Sequence, residues 1–166
     1  CIQQSLLLAI YQARSHLVLT TPYFVPDDPL AAALSSAAAR GVQVQLVLPA
    51  RNDSIMANYA CNAFMEELLA AGVEIYRYDA GLLHTKSVLV DDDFALVGTV
   101  NLDRRSLWLN FEVTLLVDNP SFVAQMTRLV QGYMAEATPM TLAQWQARPW
   151  YKKAMENIFY LFSPLL

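Results

Sequence analysis

The sequence lacks the cross-linking residues and the charge that define several classes of protein. Cysteine occurs only twice in 166 residues, as Cys1 and Cys61, which is too few for a disulfide framework. The cysteines and the two histidines, His16 and His84, also show no zinc-ligand spacing. Charged residues make up 16% of the chain and hydrophobic residues 55%, a balance that excludes an intrinsically disordered protein.

Long apolar runs and an excess of basic residues are missing as well. No run approaches the roughly eighteen apolar residues of a spanning helix, so we expect this segment not to cross a membrane by itself. With 11 Lys and Arg against 15 Asp and Glu, the formal net charge is −4. We therefore expect no nucleic acid partner, while one local cationic site stays open. Because the chain starts with Cys and no leader pattern follows, we expect a piece of a longer protein.

Strand-like segments alternate with helical ones along the chain, which is typical of α/β layer folds. We expect a single domain over residues 1–166, built as a mixed β-sheet flanked by helices on both faces. The predicted strands are residues 16–21, 42–48, 73–78, 85–90, 94–98 and 112–117.

Capping residues mark the starts of the predicted helices. Asp28 is the predicted N-cap of a helix with Pro29 at its first position, and either Asp53 or Ser54 caps the next helix. The aromatic tail from Thr141 either docks on the core as a helix or forms an interface-seeking surface. The predicted helices are residues 2–14, 29–40, 54–71 and 101–108, one opened by Asn119-Pro120, and the tail.

The stretch 82–113 carries the residues that point to chemistry. His84 and Lys86 are two apart in a strand expected to begin near Thr85, so their side chains project from one face. An imidazole beside an ammonium suits reactions on an anion, because the cation holds the oxygens while the imidazole attacks or moves protons.

Four residues downstream extend this group. Gly98 permits a tight turn, and Thr99 and Asn101 supply a hydroxyl and an amide that bind the same oxygens or orient neighbouring groups. Glu112 can fix the tautomer and rotation of an imidazole. Singly, each residue has a structural alternative, such as a core histidine, a solvated lysine, a plain turn or an N-cap asparagine. Together, their spacing is far more specific than any one of them.

This pattern resembles the HKD signature of the phospholipase D superfamily. Thr99 stands where serine is commonest, with the hydroxyl retained. The similarity includes the segments TTPYFVPDDPL, GVQVQLVLPARNDS and GTVNLDRRSLWLNFE and the terminal FSPLL, so it covers nearly the whole chain. Over this length the chain is most similar to the C-terminal half of bacterial cardiolipin synthases. The residues that match the signature are His84, Lys86, Asp91, Gly98 and Asn101.

The resemblance implies a phospholipase D-like half domain of a phosphatidyltransferase. The family uses two HKD motifs, because one histidine attacks phosphorus while another protonates the leaving alkoxide. It implies transfer of a phosphatidyl group between phosphatidylglycerol molecules through a phosphohistidine, giving cardiolipin and glycerol, without a metal or other cofactor. The implied substrate is phosphatidylglycerol. The implied protein partner is either an N-terminal half or a second copy in a homodimer. The catalytic domain is expected to be peripheral to the bacterial inner membrane and to act at its surface.

The resemblance also implies roles for single residues. His84 is the acid/base histidine, because the nucleophile is usually assigned to the N-terminal motif. Lys86 neutralises the phosphodiester together with a partner lysine. Thr99 and Asn101 bind or orient phosphate oxygens, and Glu112 orients a histidine.

Several alternatives stay open. A phospholipase D-type phosphodiesterase or nuclease acting as a single-motif homodimer would use the same residues, although it would need a basic groove. A degenerate, non-catalytic half would lack His84 or Lys86. Asp91 belongs to the catalytic signature, but we expect it to have a structural role at the end of its strand. Asp92 and Asp93 either lie in a solvated turn or bind a cation.

The residues around the motif also have two interpretations. Apolar neighbours either form a dry, acyl-facing entrance that keeps water from the intermediate or belong to the core. A proline-bounded loop with Tyr23, Phe24 and Asp27 either contacts substrate or is a structural turn. The apolar neighbours are Leu82, Leu83, Leu107, Trp108 and Phe111.

Overall fold

The computed structural model describes residues 2–52 and 54–149, which fold around a mixed β-sheet. The strands within these ranges are β1 His16–Thr20, β2 Phe24–Val25, β3 Gln43–Pro49, β4 Glu74–Tyr78, β5 Ser87–Val90, β6 Phe94–Gly98, β7 Leu102–Asp103, β8 Thr114–Val117 and β9 Ala137–Met140. The helices are α1 Ile2–Gln12, α2 Asp28–Ala39, α3 Ile55–Ala70, α4 Arg104–Trp108, α5 Pro120–Ala135 and α6 Leu142–Gln146. The predicted α/β class is confirmed.

The main sheet has seven strands in the order β8-β6-β5-β1-β3-β4-β9. β1 runs parallel to β3, and β3 runs parallel to β4. The pairs β1–β5, β5–β6, β6–β8 and β4–β9 are antiparallel. β2 and β7 form a separate two-stranded parallel ladder. The sheet is therefore mixed, as predicted, with β1 near its centre.

Helices cover both faces of this sheet, which confirms the second part of the predicted fold. Alternation along β1 sends Leu17 and Leu19 into the larger apolar cluster and Val18 into the smaller one. The larger cluster includes, from α1, α2 and α3, the side chains of Leu6, Ile10, Leu30, Leu34, Met65 and Leu68. The smaller cluster joins β5, β6 and α5 through Leu89, Ala95, Val123 and Val130.

The start of α2 differs from the prediction by one residue. Asp28 is not the N-cap, because Asp27 has the extended backbone of a cap (φ −81°, ψ 169°) and accepts a hydrogen bond from a backbone N–H of the first turn at 3.1 Å. Pro29 is consequently the second helical residue. Asp27 is held in the capping position because its carboxylate also accepts hydrogen bonds from the side chains of Gln3 and Trp108.

The other predicted caps are confirmed where they are described. Ser54, one of two candidates, caps α3, and Asn119 caps α5, whereas Asp53 lies outside the described residues. α4 begins at Arg104 rather than at residue 101, because Asp103 is its N-cap.

Two further boundaries and the tail also differ. β5 begins at Ser87 and β8 at Thr114, later than the predicted residues 85 and 112, and the short strands β2, β7 and β9 were not expected. α6 confirms that the tail begins with a helix. Residues from 150 onwards lie outside the described ranges. Within residues 2–52 and 54–149, no helix is both long and apolar enough to cross a bilayer.

Candidate active site

The loops that carry the HKD pattern, apart from Asp91, lie at one end of the sheet. Ser87 at the start of β5 pairs with Val97 near the end of β6. Gly98 at the end of β6 pairs with Thr114 at the start of β8. The segments that leave the sheet side by side are therefore residues 82–86, 99–101 and 109–113.

His84 and Lys86 lie in the segment that leads into β5, not within the strand. The Lys86 ammonium donates a hydrogen bond to the backbone carbonyl of His84 at 2.9 Å. His84 is exposed, and its imidazole has no hydrogen-bond partner within the described part of the chain. The ammonium is thus anchored to the backbone of the same residue whose imidazole reaches the surface.

The charge of Lys86 is set by burial and by two carboxylates. Partial burial lowers the pKa of Lys86, because loss of hydration penalises the charged form. The carboxylates of Glu112 and Asp103 act in the opposite direction. Of the two, Glu112 is a predicted site residue, and its charge favours the protonated form of Lys86.

Glu112 is held by its neighbours in the loop before β8. Its carboxylate accepts hydrogen bonds from the Thr99 hydroxyl and, at 3.2 Å, from the Asn110 amide. The Thr99 hydroxyl oxygen also accepts from Val113 N at 3.0 Å, and Thr99 N donates to Val113 O at 2.9 Å. Thr99 therefore ties the loop after β6 to the loop before β8 and orients Glu112.

Asn101 is joined to two residues that were not predicted from the sequence, Asp103 and Ser106. The Asn101 amide donates to the Ser106 hydroxyl at 3.3 Å, and Ser106 N donates to the Asp103 carboxylate at 2.6 Å. Burial raises the pKa of Asp103, hydrogen bonds from Ser106 and Asn101 lower it in part, and Glu112 raises it. The sequence Asp103-x-x-Ser106 before a helix signals an N-cap, but nothing in the sequence signals the hydrogen bond from Asn101 to Ser106.

Asp91 lies at the opposite end of β5 from Lys86. Its carboxylate accepts hydrogen bonds from the backbone N–H groups of Arg14, Ser15 and His16 at 3.1, 2.8 and 3.0 Å, and its φ is 50°. Partial burial acts to raise the pKa of Asp91, but these three donors lower it below its usual value. The motif aspartate therefore ties the β5–β6 turn to the segment before β1, away from the other site residues.

Replacing Asp91 by asparagine is expected to lower the free energy of unfolding at pH 7 by about 1–2 kcal/mol, since charged acceptors are lost while Asn tolerates the positive φ. Because the pKa of Asp91 is lowered by folding, its stabilisation is complete above about pH 4 and is lost as pH falls through the folded-state pKa. Urea unfolding at pH 7 and pH 3 should therefore show a weaker acid dependence for Asp91→Asn. Equal stability of Asp91→Asn and the exposed control Asp93→Asn at pH 7 would contradict this role.

The rest of the acidic run is exposed. Asp92 approaches His16, with Oδ1 and Nε2 3.4 Å apart, and Asp93 is exposed in the turn. Across residues 2–52 and 54–149, no group of three His, Cys, Asp or Glu side chains is placed to hold a metal ion.

The apolar neighbours of the motif divide between core and surface. Leu83 and Leu107 are buried, whereas Leu82, Trp108 and Phe111 are exposed. In the proline-bounded loop, Phe24 is buried in the core and Asp27 caps α2, which favours the structural turn. We define the apolar strip as the exposed hydrophobic residues of the α4–β8 loop and of β8: Leu109, Phe111, Val113, Leu115 and Leu116.

Several solved structures share this fold, and one of them is a phospholipase D family member. Nuc from Salmonella typhimurium, a phospholipase D family member, superposes with a TM-score of 0.74 at 20% identity, covering 84% of this chain and 90% of that one. A phosphatidylserine synthase from Haemophilus influenzae gives a TM-score of 0.75 at 18% identity, covering 99% of this chain and 44% of that one. Fold and HKD pattern together define the class as a phospholipase D-type half domain.

Sequence comparison narrows this class. Residues 6–134 match the family described as cardiolipin synthase, PLD-like domain. The chain is 52% identical over 165 residues to cardiolipin synthase A of Pectobacterium carotovorum subsp. carotovorum (strain PC1), covering 99% of this chain and 34% of that protein. Cardiolipin synthase A of Edwardsiella ictaluri (strain 93-146) is 53% identical with the same coverage. The chain therefore belongs to the cardiolipin synthase family of phospholipase D-like domains, confirming the resemblance, and spans about a third of the length of these curated relatives.

Proposed function

We propose that this chain supplies one of the two HKD motifs of a bacterial cardiolipin synthase that transfers a phosphatidyl group from one phosphatidylglycerol to another. One observation carries the proposal. The exposed imidazole of His84 and the Lys86 ammonium, anchored at 2.9 Å to the His84 carbonyl, leave the same segment beside Glu112. This grouping suits acid/base chemistry on a bound phosphodiester.

The proposed reaction has two balanced steps. The histidine of the other motif attacks phosphorus, so an N–P bond forms and the P–O bond to glycerol breaks, while His84 donates a proton to the leaving oxygen. His84 then takes the proton of the acceptor hydroxyl, whose oxygen displaces the histidine from phosphorus. Lys86 neutralises the phosphate oxygens, and Glu112, fixed by Thr99, orients a histidine. Asn101 orients the phosphate from its place beside Ser106.

The charge balance of the site supports the need for a second motif. The carboxylates of Glu112 and Asp103 favour the charged form of Lys86, so in this half of the site the charge of one ammonium is offset by negative charge before the anionic substrate arrives. Like charges at close range oppose binding. A second histidine–lysine pair, from an N-terminal half or a second copy, supplies the missing positive charge, and two ammoniums stabilise the transition state without a metal.

The apolar strip fits the surface on which such a second half docks. Its residues lie in the loop that carries Glu112 and along β8, which is an edge strand of the sheet. Phe111 and Leu109 are 108% and 72% exposed. Several exposed apolar side chains in one segment of an edge strand and its loop mark a candidate interaction surface, and burying them would also exclude water from the intermediate.

Replacing Leu115 by glutamate is expected to weaken binding of the N-terminal portion of the full-length protein by roughly ten- to a hundredfold, because a buried charge would meet an apolar interface. Leu115 is 62% exposed, so the chain itself should keep its stability. The matched control is Leu129→Glu on α5, also exposed at 43%. Sedimentation of the chain with the separately produced portion measures the affinity, and equal affinities for the two variants would contradict this assignment.

A lipid substrate is also consistent with the surroundings of Lys86. A half-open cavity of about 160 Å³ adjoins Lys86 between α1 and the sheet. Its apolar lining suits the uncharged part of a phospholipid. We therefore infer that the catalytic domain works at the surface of the bacterial inner membrane. The apolar lining includes Ile2, Leu6, Val88, Leu96, Leu102 and Leu116.

Vesicles of phosphatidylglycerol with labelled headgroup glycerol test the proposal. The chain alone, the N-terminal portion alone and an equimolar mixture are compared, and only the mixture is expected to form cardiolipin and release glycerol. Cardiolipin formed by the chain alone would favour a homodimer over an N-terminal half. Phosphatidic acid as the sole product would make the protein a phospholipase, and DNA cleavage without lipid transfer would favour the nuclease alternative.

A further inference from the structure

The segment that carries His84 and Lys86 is held to the fold mainly by side chains. Residues 80–85 lie between β4 and β5, and within the described part of the chain they form no backbone–backbone hydrogen bond. The first backbone tie to the sheet is at Lys86, whose carbonyl accepts a hydrogen bond from Gly98 N at 3.3 Å. The direction in which the two site residues project therefore depends on the side chains that anchor this segment.

Two side chains anchor the segment on the side of α5. Leu83 is 1% exposed and belongs to the smaller apolar cluster, which joins β5, β6 and α5. Thr85 and Tyr133, a residue near the end of α5, share a hydrogen bond between their hydroxyls at 3.0 Å. The residues that alternate with these anchors are His84, which is exposed, and Lys86, whose ammonium donates to the His84 carbonyl. Anchoring residues and site residues thus alternate along the segment.

Tyr133 is itself fixed by its neighbours. Its ring meets the ring of Tyr78, at the end of β4, with the centroids 5.2 Å apart and the ring planes at 66°. Edge-to-face arrangements of this kind are favourable for aromatic pairs. Both rings also pack against the smaller apolar cluster. Tyrosine has only two side-chain torsion angles, so a ring held by a helix and a strand presents its hydroxyl at a defined position.

We propose that Tyr133 is a positioning residue of the phosphodiester site, because its hydroxyl holds Thr85 and thereby orients the imidazole and the ammonium on either side. Its meaning for catalysis rests on the proposed function, but the anchoring of the segment does not. Without this hydroxyl, the segment would lose one of its two anchors on the α5 side, and both site residues would sample further arrangements. A misplacement of about 1 Å can lower a rate by roughly a hundredfold, so an anchor outside the reacting groups affects the rate.

NMR signals of the imidazoles test the anchoring without any substrate. The chain has two histidines, and with ¹³C-labelled histidine His16, at the opposite end of the sheet, serves as an internal reference for His84. Tyr133→Phe and Thr85→Val each remove one hydroxyl and keep the ring or the branched shape. The matched control is Tyr76→Phe, because the Tyr76 ring packs against the same apolar cluster and its hydroxyl donates to a carboxylate of β4 at 2.9 Å.

We expect the His84 signal to shift in Tyr133→Phe and in Thr85→Val. The double variant should shift it no further than either single change, because all three lack the same hydrogen bond. The His16 signal should stay in place throughout, and Tyr76→Phe should leave both signals unchanged.

Two results would overturn the inference. One is a His84 signal that is the same in Tyr133→Phe as in the wild type, or that shifts in the double variant by the sum of the single shifts. The other is unfolding of both single variants while Tyr76→Phe stays folded by circular dichroism, because the hydrogen bond would then support the whole fold. If one single variant unfolds, the other carries the test.

Kinetics in the full-length enzyme then separate this inference from the proposed function. Tyr133→Phe is expected to lower kcat by roughly tenfold with little change in KM, since the reacting groups are misplaced while lipid binding is kept. Thr85→Ser, which keeps a hydroxyl, should recover most of the rate that Thr85→Val loses, and Tyr76→Phe should match the wild type. A wild-type kcat in Tyr133→Phe would overturn the role in catalysis. If the wild type transfers no phosphatidyl group, the proposed function fails, and the His84 signals still decide whether Tyr133 anchors the segment.

Discussion

Replacing His84 by alanine in the full-length enzyme is expected to reduce cardiolipin formation by roughly a thousandfold or more, because the leaving glycerol oxygen then has no proton donor. The chain provides a matched control in its other histidine, His16, which lies at the far end of β1 beside Asp92 at 3.4 Å. His16→Ala should leave the transfer rate unchanged. Initial rates on phosphatidylglycerol vesicles measure both variants, and transfer by His84→Ala within tenfold of wild type would remove His84 from the reaction.

Substitution of Lys86 is also expected to slow the transfer reaction. Lys86→Ala should lower the rate by roughly a hundred- to a thousandfold, because a positive charge on the phosphate oxygens is lost where charge develops in the transition state. Lys86→Arg keeps the charge, but its planar fork does not reproduce the single contact to the His84 carbonyl. It should therefore recover only part of the rate, and full activity of Lys86→Ala would contradict the proposed role of the ammonium.

Replacing Gly98 by alanine is expected to lower the free energy of unfolding by roughly 3 kcal/mol or more, because the added methyl has no room. A Cβ at this position would lie 2.1 Å from Val113 O and 2.8 Å from Thr114 Cα. Both are backbone atoms that rotamer changes cannot move. β8 would have to shift, and with it the adjacent Glu112.

A glycine on α5 provides the control for this substitution. A Cβ at Gly132 meets nothing within 4 Å, and alanine in a helix is favoured over glycine by about 0.5–1 kcal/mol. Gly132→Ala should therefore be as stable as the wild type or more stable in urea unfolding. If Gly98→Ala were also neutral, the close approach of β6 to the Val113 backbone would not be a constraint on this sequence.

Much of the fold is predictable because it depends on local patterns. The alternation along residues 42–48 and the Asn119-Pro120 signal each act within a few residues, and both elements are found in the structure. Asp27 and Asp28 are locally equivalent as caps, and only the distant side chains of Gln3 and Trp108 distinguish them. The two-residue ladder of β2 and β7 likewise forms between segments far apart in sequence, so no local pattern predicts it.

Some features of the candidate site are likewise predictable from local sequence patterns, whereas others depend on contacts between distant residues. The spacing of His84 and Lys86 predicts side chains on one face of a strand, but both residues lie before β5. The contact between the Lys86 ammonium and the His84 carbonyl depends on how the chain turns into β5. Asp103 looks like an ordinary N-cap, and the hydrogen bond from the Asn101 amide to Ser106 of the same cap is visible only in three dimensions. Asp91 belongs to the motif by spacing, yet the length of β5 separates it from Lys86.

The chain matches its relatives over only part of their length. Family membership is shown by the match over residues 6–134, whereas the chain covers 34% of the relatives' length. Transfer by two motifs is therefore a proposal about the longer protein, in which this chain contributes His84 and Lys86.

Mapping the covalent intermediate tests that account most directly. Full-length enzyme is mixed with phosphatidylglycerol labelled with ³²P in its phosphodiester, quenched with alkali within one turnover and digested, and the labelled histidine is identified by mass spectrometry. We expect label on the histidine of the other motif and none on His84, which only moves protons in the proposed reaction. Label on His84, or cardiolipin formed with no labelled histidine at any time, would contradict it.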